Sequence, residues 1–170
     1  MKVFPIIFSC LIILCCCTRK GAQLPSNKGV ENQEQMDMMT YNKMCIEAEN
    51  TEIQSYLDSS SIEFVKANAG YWYKIVNTNN GKKVNNLVTI SGTVQVLGGE
   101  PCYEFNDLTL RLGKRDHTKV LDLALANAHV GDEIWIVSPS SLAYGIKGIT
   151  NCITSRTPVL YKIKVLKTDE

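Results

Sequence analysis

Apolar residues at every second position recur from Tyr71 almost to the end of this chain. A period of two marks strands that bury one face and wet the other. In "LVTISGTVQVL" (87–97), Val88, Ile90, Val94 and Val96 share one face, and Thr89, Ser91, Thr93 and Gln95 the other. "YWYKIV" (71–76), "CYEF", "LTLRLG" (108–113) and "DEIWIVS" read as further strands. The final run, "TPVLYKIKVLK", turns Val159, Tyr161, Ile163 and Val165 inward and leaves Lys162 and Lys164 in water. "TNNGKKVNN" and "GGEP" supply turns between them.

One helix interrupts the strands. In "DHTKVLDLALANAHVG", Leu121, Ala124, Leu125 and Ala128 make a stripe at helical spacing. Asp116 is placed to cap its start and Gly131 to stop it soon after its end. Residues 70–170 therefore read as a curved antiparallel sheet wrapped around one short helix, an α+β fold. Upstream, Met38, Tyr41, Cys45 and Met39, Ile46, Ile53, Tyr56, Leu57 fall at spacings of three, four and seven, so 31–58 reads as a helix or helix pair. Its Met-rich stripe is expected to pack on its own domain rather than on a partner. Trp135 faces away from Ile134 and Ile136 and is expected to pack on the other face of the sheet, under that helix.

The first fourteen residues, "MKVFPIIFSCLIIL", fit the apolar region of a secretory signal better than a spanning helix. Three cysteines follow. An apolar run ending on Cys resembles a bacterial lipoprotein signal, in which the first mature Cys receives the lipid. Cys17 fits best, with Cys16 and Cys15 as alternatives; an ordinary cleaved signal or an uncleaved anchor is the other reading. The organisation expected is a signal over 1–16, a polar tether over 17–30, a helical segment over 31–60 and one domain over 61–170. A single acyl chain binds membranes only marginally, so a stable anchor needs more than one.

Beyond the signal, Cys45, Cys102 and Cys152 are an odd set. Free buried cysteines are the favoured reading, with one disulfide left open. No CxxC occurs and the two histidines stand twelve apart, so no metal site is expected. The net charge of +1 gives no bias toward nucleic acid.

The stretch "SPSSLAYGIKG" (138–148) is longer than a simple hairpin needs. "HVGDEIWIVSPSSLAYGIKG", followed by "YKIKVL", resembles the C-terminal half of the FKBP-type peptidyl-prolyl isomerases, where a Pro-x-x-x-Ala-Tyr-Gly loop follows a strand. "LRLGK" resembles the strand into that family's pocket helix, and the spacing from Leu108 through Tyr144 to Tyr161 matches without a gap. The preceding helix and "AGYWYKI" look like the layout of envelope lipoproteins of this family, including those associated with gliding motility.

The resemblance implies an isomerase of X-Pro bonds that needs no cofactor and binds proline-containing segments of exported proteins. It gives Tyr144 the hydroxyl that donates to a substrate carbonyl. Ile153 and Tyr161 fall on an aliphatic and an aromatic wall position, and Leu108 on another aromatic one. His117 and Thr118 fall on the pocket-edge pair. The family's floor tryptophan is Leu121 here, its early-strand tyrosine is Ile90, and its aromatic-acidic pair is shifted onto Tyr103 and Glu104. The resemblance would also bring Cys102 and Cys152 near the pocket, where a bond would tether the 145–156 loop. A lipid-anchored isomerase at the bacterial envelope is the leading expectation. A non-catalytic binding module and a structural lipoprotein acting through its helix are the alternatives.

Overall fold

The structure, a computed structural model, describes residues 28–78 and 81–169. The expected signal and the cysteines at 15, 16 and 17 lie outside the described residues. The chain divides into two units, 1–41 and 42–170. The described part of the first is wholly helical, and the second holds the rest of that helix, the sheet and the candidate site.

Helix α1, Lys28–Ser59, is one continuous helix. Neither Gly nor Pro occurs between Val30 and Ser59, so nothing in the backbone interrupts it. Six strands follow: β1 (Val65–Lys66), β2 (Trp72–Asn77), β3 (Leu87–Val96), β4 (Pro101–Arg111), β5 (Glu133–Ser138) and β6 (Val159–Thr168). They form one curved antiparallel sheet in the order β1-β2-β5-β6-β3-β4. The short helix α2 (Lys119–Leu125) fills its concave side.

Cross-strand register makes two opposite surfaces. Tyr73, Ile136, Tyr161, Val94 and Tyr103 lie opposite one another across five strands, and the first four of them belong to the main core with Leu121, Leu125 and Val120. On the other face, Trp72, Val137 and Leu160 form the adjacent row and receive Ile53, Tyr56 and Leu57 of α1. Those three residues are spaced i, i+3, i+4, so a single turn of helix carries the contact. Trp135 joins this second cluster, with the Lys162 ammonium 4.5 Å from its ring centroid.

Five local expectations change. The Met-rich stripe of α1, expected to pack on the domain, is exposed at Met38, Met39 and Met44. "CYEF" and "LTLRLG" belong to one strand, β4, whose register slips opposite Ile90–Gly92; Asp107 takes a left-handed φ of 52° there. Asp116 does not cap α2. It bonds the Arg111 guanidinium at 2.8 Å, and the helix begins only at Lys119 and ends at Leu125, leaving Ala128 buried in the following turn. Thr89 and Gln95 are buried rather than wet, because β3 lies between β6 and β4; Thr89 meets the Thr109 hydroxyl at 3.0 Å and Gln95 donates to the Gly99 carbonyl at 2.7 Å. Cys102 and Cys152 are not free thiols but a disulfide, with Cα atoms 5.6 Å apart; Cys45 is free.

Candidate active site

The loop after β5 is shaped by its own backbone. Pro139 leads into a 3-10 turn over Ser140–Leu142, and Leu142 plugs into the core. The Ser140 carbonyl accepts the N–H of Ala143 at 2.9 Å and that of Gly145 at 2.8 Å. Gly145 closes this turn at φ 58°, a conformation that costs a Cβ-bearing residue about 1 kcal/mol. Tyr144 is thereby held at the crest of a tight double turn. Further on, Ile149 and Ile153 exchange backbone bonds of 2.7 and 3.1 Å, and Gly148 lies so close that a Cβ would strike the Ile153 carbonyl. The disulfide at Cys152 ties this segment to β4.

The ring of Tyr144 stacks on Tyr161, centroids 6.2 Å apart, and meets His117 edge-on at 6.5 Å. His117 lies 6.5 Å from Phe105, and Phe105 lies 6.1 Å from Tyr103. Five rings thus line one continuous wall, running from half-exposed Tyr103 to completely buried Tyr161. Thr118 spends its hydroxyl on this wall rather than on capping α2: it lies 3.1 Å from the Tyr161 hydroxyl.

Burial, then the neighbouring Tyr144, pushes the Tyr161 phenol far above its ordinary value, so it keeps its proton at neutral pH. Burial also raises Tyr144, and its interaction with Tyr161 opposes that rise. Both phenols are therefore uncharged, and the half-buried Tyr144 hydroxyl carries a proton that a ligand carbonyl can accept.

His117 is held neutral. Burial lowers its pKa from 6.5, the nearby Asp122 opposing, and its Nδ1 is buried without a hydrogen-bond partner. The wall is therefore aromatic and uncharged at neutral pH.

The other candidates are distributed around it. Ile153 and Leu121 are completely buried in the same core, and Ile90 is buried beneath the sheet opposite half-buried Leu108. Glu104 lies on the opposite side of β4 from Tyr103 and Phe105, exposed. Phe105 packs between Tyr103 and His117 and is not among the residues that the sequence singles out. The period-two alternation from Tyr103 is the signal that reaches it. The aromatic-acidic pairing stops one residue short, at Glu104.

The sequence signature of the FKBP-type peptidyl-prolyl cis-trans isomerase (FKBP_C) matches residues 78–166, just over half of the chain. The chain belongs to this family. The FKBP fold is equally clear in solved structures. The peptidyl-prolyl cis-trans isomerase of Pseudomonas syringae pv. tomato superposes with a TM-score of 0.65 at 19% identity, over 75% of this chain and 96% of that one. AtFKBP13 gives 0.59 at 18% identity, over 64% of this chain and 100% of its own. No curated protein matches the sequence. In this FKBP-type domain Leu121, which the resemblance puts at the pocket floor, is completely buried in the main core.

Proposed function

We propose that this FKBP-type protein is an active peptidyl-prolyl cis-trans isomerase that assists folding of exported polypeptides at the bacterial envelope. The observation that carries the reading is the aromatic wall, in which Tyr144 stacks on buried Tyr161 and meets His117 edge-on. Rotation about an X-Pro bond is opposed by a barrier of about 18–20 kcal/mol, because the planar amide has C–N double-bond character. The twisted amide loses that resonance and much of its dipole. An apolar wall withdraws the solvation that favours the planar form, while Tyr144 holds a substrate carbonyl and fixes the segment. Binding the twisted state better than either planar state is the whole of the catalysis, so a nucleophile is not required.

The envelope part of the reading rests on the leader and its cysteines. Cys17 is the proposed lipid-bearing residue, placing the protein among the envelope lipoproteins of the family. Incorporation of labelled palmitate into the intact chain, lost in Cys17→Ser, tests it; retention of label in that variant moves the modification to Cys16 or Cys15.

Leu121 and Ile90 favour a second reading, in which the groove binds prolyl segments without turning them over. Protease-coupled isomerisation of tetrapeptides varying the residue before Pro separates the two. Turnover above background supports the enzyme. Peptide binding by folded protein without turnover supports the binding module.

A further inference from the structure

Glu49 reaches from α1 to the loop that carries Tyr144. Its carboxylate accepts both the Ser140 backbone N–H and, at 3.0 Å, the Ser140 hydroxyl. Ser140 is the residue on which the loop turns, since its carbonyl holds the N–H groups of Ala143 and Gly145 on either side of Tyr144. A second tie lies seven residues away along α1. The Arg156 guanidinium donates to Asn42 at 2.7 Å, while the Arg156 N–H donates to the Gly145 carbonyl at 2.9 Å. Both ends of the Tyr144 turn are therefore tied to the same helix face, at Asn42 and Glu49, two turns apart.

A cleft of about 530 Å³, lined by Cys45, Ile46, Pro139 and Ile146 among others, lies between α1 and the loop, and the bonds of Glu49 and Asn42 run along it. Charge-assisted bonds such as those of the Glu49 carboxylate are the stronger and more directional kind. Glu49 is also the group whose charge, after burial, raises the pKa of its neighbour Glu52. Both Glu49 and Asn42 precede the family domain, which begins at residue 78.

We infer that Glu49 is a positioning residue for Tyr144, and that α1 is a brace which sets the geometry of the isomerase loop. The inference rests on the proposed activity for its consequence but not for its structural content. Without Glu49, the Ser140 turn loses two bonds to the helix and Tyr144 samples a wider set of positions. Small misplacements of a substrate-contacting group reduce turnover strongly.

The test compares the parent chain with Glu49→Ala, Glu49→Gln and Ser140→Ala. Amide hydrogen exchange is read at Ala143 and Gly145 and, as a reference, at β6. In Glu49→Ala the two loop amides exchange about tenfold faster while β6 is unchanged, and kcat/KM on prolyl tetrapeptides falls about fivefold. Glu49→Gln recovers most of both effects, because its carbonyl oxygen still accepts from the Ser140 N–H. Ser140→Ala, which keeps that N–H, is intermediate. Loop exchange unchanged in Glu49→Ala overturns the brace, as does equal acceleration in loop and β6, which marks general destabilisation. If Glu49→Ala does not fold, the Gln and Ser140 variants decide by the same readouts. A parent protein without turnover defeats the proposed function alone, and loop exchange then decides the brace.

Discussion

The ring of Tyr144 lies 28° from parallel to that of Tyr161, with centroids 6.2 Å apart. The deeper, completely buried ring is thus a packing platform for the outer, half-buried one. The stack fixes where the Tyr144 ring, and with it the Tyr144 hydroxyl, lies.

Tyr144→Phe keeps the ring stack and removes only the outward proton. One neutral hydrogen bond contributes about 1 kcal/mol, so kcat/KM should fall about fivefold to tenfold with the melting temperature nearly unchanged. Tetrapeptide isomerisation and a thermal melt on the same sample measure both. Undiminished activity would remove Tyr144 from the mechanism.

Thr118→Val should act on stability as well as on activity. It leaves the completely buried Tyr161 hydroxyl without its 3.1 Å partner. Loss of that hydrogen bond should lower the urea-unfolding free energy by about 1–2 kcal/mol. Tyr161→Phe in the Thr118→Val background should cost little more, since neither partner of the bond then remains. A large further loss would show that the two hydroxyls are not coupled.

Two pH effects follow from burial. His117 has a folded pKa below its ordinary 6.5, so the unfolded chain takes up its proton first as pH falls. This residue's contribution to stability is therefore intact above 6.5 and declines as pH drops from there through the lowered folded value. His117→Asn should flatten that part of a melting-temperature profile. Tyr144 and Tyr161 are raised above 10, so the unfolded state ionises first on the alkaline side and stability falls as pH rises past about 10. Activity should hold flat between those limits, because the donor stays protonated.

The disulfide closes a loop of 50 residues, from Cys102 on β4 to Cys152 beside Ile153. On the chain-entropy account a loop of this length stabilises by about 4 kcal/mol. Reduction should shift the urea midpoint accordingly and expose the 149–153 segment to proteolysis before the rest. Peptide mapping of unreduced protein should recover Cys102 and Cys152 in one linked species; two free thiols would refute the bond.

Leu121→Trp tests the floor position that the family resemblance assigns to Leu121. Leu121 is completely buried against Val120 and Leu125 in the main core. A tryptophan there overfills a packed site, with an expected loss of about 1–3 kcal/mol rather than a gain in turnover. Higher activity without loss of stability would show that this domain retains room for the larger ring.

Much of this protein is decided locally and is legible without coordinates. The period of two places Val159, Tyr161, Ile163 and Val165 on the inner face, because strand geometry alternates side chains whatever the topology. The turn that carries Tyr144 is itself local: the Ala143 and Gly145 N–H groups close it on the Ser140 carbonyl, spanning five residues at most. The helix, free of Gly and Pro from Val30 to its end at Ser59, is fixed in the same way.

The remainder depends on which distant segments the fold brings together. Local pattern assigns Asp116 to the helix cap, but strand β4 presents Arg111 to it first. It favours free cysteines, because a disulfide depends on the distance between two Cα atoms 50 residues apart in sequence. Phe105 enters the aromatic wall only through the position of His117 after the β4 turn. Glu49 and Ser140 lie 91 positions apart, and neither is distinctive in its own neighbourhood. Short-range patterning specifies which face of each element is buried. The sheet order decides which polar groups then meet, because hydrogen bonds and disulfides depend on distances that only chain topology sets.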